Sequence, residues 1–177
     1  MAENDLIQRK ISQLEFQSLV KPMIGLPISR AWRGYGTACF LEIGQLSEYE
    51  LPSGKRSIKG QFGVMIQWSW RIESPRTIAC GSWSSKRKIS KGIERLSGLF
   101  IEQIALSNRL PEISVCLSSG RWLQSFQTSE GQPGWVIFLR EHDDSSAWLK
   151  VKNGKVVLET NERNQALLEQ LMNLLET

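Results

Sequence analysis

The 177-residue chain carries 22 Lys and Arg against 18 Asp and Glu, with 41% hydrophobic and 23% charged residues. That balance excludes wholesale disorder and fits a single domain, residues 1–177, with a sizeable core. A single His and three widely separated cysteines exclude a His-rich metal site, paired-imidazole chemistry and a disulfide framework.

In chain order, residues 5–19 have helical spacing. Ile7, Ile11 and Leu14 form one stripe, Asp5 can cap, and Gln8 completes a capping-box-like start. A first β unit spans 22–84. Leu26–Trp32 and Thr37–Ile43 are short strands joined by the Arg33-Gly34-Tyr35-Gly36 turn, and Leu51–Lys55 forms another turn. Gln61–Glu73 has the strict period of two of a strand, with Val64, Ile66, Trp68, Trp70 and Ile72 directed to a core. Thr77–Gly81 returns beside it. Residues 85–97 then read as a basic helix, with Ile89, Ile93 and Leu96 on one stripe among Lys86, Arg87, Lys88, Lys91 and Arg95, although Gly92 lowers its helix propensity.

A second β unit spans 98–159, with strands at Leu99–Leu106, Glu112–Leu117, Arg121–Phe126, Trp135–Arg140, Ala147–Val151 and Lys155–Glu159. Asn153-Gly154 is the strongest hairpin signal. Residues 160–177 close the chain as a helix capped by Thr160 or Asn161. Gly25-Leu26-Pro27-Ile28 and Gly98-Leu99-Phe100-Ile101 share the pattern G-L-x-I, 73 residues apart, as two β repeats would. The expected fold class is therefore α+β, a mostly antiparallel β sandwich or partly open barrel with terminal helices and a basic central helix.

The first twenty residues are too polar for a signal peptide, and the longest apolar run, Trp135 to Leu139, is far short of a membrane span. Cys39, Cys80 and Cys116 lie among apolar neighbours, as buried reduced thiols do. A cytoplasmic location without membrane contact is the expectation.

Few residues point to catalysis. His142 sits among Asp and Ser in a polar stretch between strands, which reads as a hairpin loop rather than a catalytic or metal-binding site. Gly34-Tyr35-Gly36 supplies two glycines of a dinucleotide-binding pattern, but Cys39 occupies the third position and a strand follows. Glu42, Glu73, Glu102, Glu112 and Glu141 lie on or beside strands. Two facing carboxylates could hydrolyse a glycoside, but a solvated sheet face is the default reading. No catalytic residue, cofactor or metal is expected.

Two binding constellations remain. The seven Trp are an excess specific to that residue. Trp68, Trp70 and Trp135 read as core, whereas Trp32 with Arg33, Trp122 with Arg121, and Trp148 sit in less apolar surroundings. Trp and Arg dominate interface hot spots, which makes these five residues the candidates for a protein partner. Lys86, Arg87, Lys88, Lys91 and Arg95, with Trp83 available to stack a base, are the candidates for nucleic acid. The competing reading of that segment is a linker helix kept soluble by its charge.

With its two G-L-x-I starts, short turn-rich strands and the Ser118-Ser119-Gly120-Arg121-Trp122-Leu123 hairpin, the chain resembles small bacterial β-rich domains of unknown function, some of which act as immunity proteins beside toxins. The resemblance covers roughly residues 22–159 and carries over no catalytic residues. It implies non-enzymatic binding of a protein partner, with toxin neutralisation as one form; nucleic acid is the alternative partner.

Overall fold

The structure, a computed structural model, describes residues 6–51, 53–140 and 146–161. Its elements run Leu6–Lys10 (β1), Gln13–Val20 (α1), Ile28–Arg33 (β2), Cys39–Glu50 (β3), Arg56–Ile66 (β4), Trp70–Ser74 (β5), Thr77–Gly81 (β6), Lys86–Glu94 (α2), Ile101–Ser107 (β7), Glu112–Leu117 (β8), Arg121–Ser125 (β9), Trp135–Arg140 (β10), Ser146–Lys152 (β11) and Lys155–Asn161 (β12). This is a mostly antiparallel, β-rich α+β fold. One sheet has the order β1-β12-β11-β10-β4-β3-β2, the other β6-β5-β9-β8-β7.

Three expectations about the elements change. The segment 5–19 is not one helix: β1 pairs with β12, and helix α1 starts only after Ser12. Ser12 Oγ accepts the Glu15 N–H at 3.2 Å and the Glu15 carboxylate accepts the Ser12 N–H at 2.6 Å, a complete capping box. At the other end, Thr160 and Asn161 are strand residues paired with Ile7 and Leu6, not helix caps. The rest of the expected 160–177 helix lies outside the described residues, as do His142 and Glu141.

The third change is at Gln61–Glu73, which is two strands rather than one. β4 belongs to the seven-stranded sheet and β5 to the five-stranded sheet, with the chain crossing between them at 67–69. Trp68 takes φ +65° there. The turn rotates its ring out of the core, leaving it 67% exposed, while Trp70 two residues on is fully buried.

The chain crosses back between β9 and β10, and the two crossings are built alike. Trp70 opens β5 and Trp135 opens β10; both are buried. Each indole N–H donates to a carbonyl ahead of a strand, Trp70 to Thr37 at 2.7 Å and Trp135 to Pro111 at 2.8 Å. A buried Trp needs such a partner for its single donor. β5 then pairs with β9, and β10 with β4, so each sheet is completed by a strand from the other half of the chain.

The G-L-x-I segments pair with each other. Gly25 N–H donates to Ile101 O and Gly98 N–H to Ile28 O, both at 2.8 Å. Ile28 N–H donates to Leu99 O at 2.8 Å and Ile101 N–H to Leu26 O at 2.9 Å. Each bond maps onto its counterpart by the same 73-residue shift, so the segments meet about a local two-fold axis. The shift also relates the helix caps Ser12 and Ser85 and the starts of β2 and β7. This pairing stitches the β2 edge of one sheet to the β7 edge of the other, and a single core of buried residues from both sheets and both helices lies between them.

Two strand carboxylates are structural rather than solvated. Glu42 is buried; it accepts the Gly60 N–H at 2.7 Å and pairs with the Arg140 guanidinium. Glu112 is also buried, accepting the Gln127 N–H at 2.6 Å and the Ser125 hydroxyl. Glu73 pairs with Arg71 at 2.6 Å, and exposed Glu102 accepts a weak bond from Cys116 Sγ at 3.7 Å. Arg140→Met should therefore strand the Glu42 carboxylate and lower stability by about 3 kcal/mol, read from the midpoint of urea unfolding.

Candidate functional site

Helix α2 forms where the sequence places it, because Ser85 caps it and Ile89, Ile93 and Leu96 recur at helical spacing. Ser85 Oγ accepts the Lys88 N–H at 3.4 Å. The three apolar residues are buried, and the helix packs on β2 and β6. Arg33 of β2 reinforces the seat, its Nε donating to Ser90 Oγ at 3.1 Å. Gly92 is a requirement of that seat: a Cβ there would lie 2.2 Å from Cys80 Sγ of β6. The residue that weakens the helix is the one that lets it approach the sheet.

Burying one stripe leaves the cations on the other face. Arg87, Lys88, Lys91 and Arg95 line a pocket of about 280 Å³ with Arg121, which reaches it from the start of β9. Ile72 and Cys80 are buried residues at its base. No carboxylate lines it, and none of the five cations forms an ion pair among the described residues. The segment 85–97, with five cations and Glu94, carries net +4, equal to that of the whole chain. Close cations repel, and an anion in the pocket relieves that repulsion, more so where low-dielectric walls focus the field.

Three exposed aromatic residues lie on segments that are bonded to one another ahead of α2. Tyr35 is fully exposed at the tip of the β2–β3 turn, Trp83 is 86% exposed two residues before the helix cap, and Trp68 stands out at the crossing. Short bonds tie their supports together. Trp70 accepts the Ser82 N–H on its carbonyl at 2.9 Å and donates its own N–H to Ser82 Oγ at 3.2 Å. Its indole binds Thr37, whose hydroxyl lies 3.5 Å from the Trp68 carbonyl. Trp68 lies against Gly134, where a Cβ would come within 2.8 Å of its ring. A left-handed conformation at a non-glycine residue costs on the order of 1–2 kcal/mol.

The five residues expected to meet a protein partner do not share one surface. Trp32 and Trp148 are half-buried on the outer face of the seven-stranded sheet, but β3, β4 and β10 lie between their strands, a separation of about 19 Å. Trp32 stacks on Phe40 at 5.2 Å with Arg30 over its ring at 4.7 Å. Trp148 sits opposite Phe138 and Glu159. Trp122 is on the five-stranded sheet opposite Glu73 and Cys116. Arg33 is committed to Ser90 and the Gly36 carbonyl, and Arg121 joins the α2 cations. Among the nucleic-acid candidates, Arg87, Lys88, Lys91 and Arg95 share the pocket, while Lys86 and Trp83 are exposed beside it along the chain.

The cysteines are free, with Cys39 and Cys80 buried and Cys116 half-buried. Burial pushes the Cys39 thiol up, with neighbouring Cys80 adding to the effect. Burial also raises Cys80, against the pull of Arg121 and Arg95. Desolvation and then Glu102 raise Cys116. Among the described residues no three metal-ligating side chains converge, and no helix is long and apolar enough to cross a membrane. Compared with known proteins, the chain matches no family model, no curated protein and no solved structure.

Two outcomes follow from this geometry. Gly92→Ala should destabilise the protein by about 1–2 kcal/mol in urea unfolding, because overpacking against Cys80 outweighs the gain in helix propensity. At neutral pH the Cys39 and Cys80 thiols should stay protonated, so iodoacetamide labels both appreciably only in denaturant, as read by mass spectrometry.

Proposed function

We propose that the protein is a non-catalytic binding protein whose partner is a nucleic acid, held on the cationic face of α2. The observation that carries this reading is the pocket rimmed by Arg87, Lys88, Lys91, Arg95 and Arg121 with no carboxylate in its lining. A phosphate backbone offers repeated negative charges to such a face and releases its counterions on binding. Exposed Trp83 next to the helix adds a stacking surface of the kind nucleic-acid sites use.

A second reading keeps the charge but changes the partner: an acidic protein surface, as an immunity-type role would require. The stack of half-buried Trp32 and Phe40 with exposed Arg30 over it favours this reading, since such aromatic-cation groups anchor protein interfaces.

Binding of fluorescein-labelled 20-nucleotide oligomers, measured by anisotropy at 50 and 200 mM NaCl, distinguishes these readings. Nucleic-acid binding through roughly four phosphates should weaken with salt with a log–log slope of about 3–4, and K88E/K91E should lower affinity by at least about tenfold. Affinity for polyglutamate equal to that for the oligomers would favour the acidic protein partner. No salt-sensitive binding to the oligomers would end the nucleic-acid reading.

A further inference from the structure

Resting on the nucleic-acid reading, we infer that the partner is single-stranded, its bases stacking on Tyr35, Trp68 and Trp83 while its phosphates follow the cations of α2. The three rings are 33 and 15 residues apart in sequence. The segments that carry them are joined by the bonds among Thr37, Trp68, Trp70 and Ser82, three residues ahead of the helix cap Ser85. No aromatic pairing holds any of the three: the stacked and edge-on ring pairs of the described residues are Trp32–Phe40 and Phe16–Trp135. Trp68 holds a backbone conformation that non-glycine residues avoid, and the outcome is a ring presented to solvent against Gly134 rather than one packed in the core. Its place in the β pattern would otherwise have buried it between Ile66 and Trp70.

The charge lies where a strand leaving the rings would need it. Trp83 precedes the cap Ser85, and the pocket cations follow from Arg87 to Arg95, about 12 Å along the helix axis. A duplex keeps its bases paired and stacked and offers their faces to no protein ring, whereas an unpaired strand offers every face. Stacking is tolerant of sequence because each base has a π-face, so sequence preference should be weak.

The test uses the intact chain, a fluorescein-labelled 15-nucleotide oligothymidylate and a 15-base-pair duplex, with affinity from anisotropy and ring contact from quenching of Trp fluorescence. The single strand should bind at least about tenfold tighter than the duplex and quench Trp emission. Trp83→Ala and Tyr35→Ala should each weaken single-strand binding by about tenfold while leaving duplex binding unchanged, and Trp83→Phe should restore most of the loss. Trp68→Gly relieves the backbone conformation, so a thermal-unfolding midpoint no lower than that of the parent, together with weaker single-strand binding, separates a stacking role from a structural one. Equal affinity for strand and duplex, with neutral Trp83 and Tyr35 variants and binding still lost in K88E/K91E, would overturn the stacking platform and leave the α2 reading standing. Absence of salt-sensitive binding to either probe would overturn both.

Discussion

Neither half of this chain can complete its own sheet. β4 needs β10 on its free edge and β9 needs β5, so the backbone donors and acceptors of each half are satisfied by a strand delivered from the other. Unpaired backbone groups are too costly to bury, and this exchange forces the two halves to fold together. The two crossings that deliver the strands are each pinned by a buried Trp whose indole donates to a carbonyl just ahead of a strand of the opposite sheet, β3 for Trp70 and β8 for Trp135. The short two-fold pairing of 25–28 with 98–101 then joins the remaining edges. A continuous core between the sheets is the consequence, not the starting point.

The cationic face is a by-product of the same arrangement. β2, β6 and α2 are held together because β6 follows the first crossing and the helix must bury Ile89, Ile93 and Leu96 on what lies beside it. Once that stripe is covered, the cations of α2 can only face outward, and the start of β9 adds Arg121 from 26 residues beyond Arg95. Trp68 stands out at the first crossing, Tyr35 at the tip of the β2–β3 turn and Trp83 just ahead of α2, on segments joined by the bonds of Trp70 to Ser82 and Thr37.

Much of the strand pattern was legible from sequence. β8 and β10 fall at the expected residues, Asn153-Gly154 makes its hairpin turn with both residues left-handed, and α2 is where its apolar spacing puts it. These elements are set by local rules, a period of two or 3.6 and a turn that needs positive φ. The misreadings share a cause. The 6–10 segment has helical spacing but meets an open edge on β12, and pairing with that edge wins. The period-two run through 61–73 continues across a change of sheet, so the pattern hides the point at which Trp68 turns out. Glu42 and Glu112 look like solvated strand residues until Arg140, Ser125 and Gln127 arrive from distant parts of the chain.

By itself the sequence determined composition-level facts and local ones: a β-rich domain, most strand positions, a basic helix, the 73-residue echo between two segments, and five cations concentrated in one stretch. Those follow from neighbours along the chain, whose spacing alone sets which side chains share a face. Only the tertiary structure decided that the echoing segments pair with each other, that Arg121 belongs with α2, that the partner-type Trp residues are dispersed over two sheets, and that Trp68 joins Tyr35 and Trp83 in solvent. Each of these depends on which strand completes which sheet, and that choice is made by hydrogen bonds between residues far apart in sequence, which no local period records.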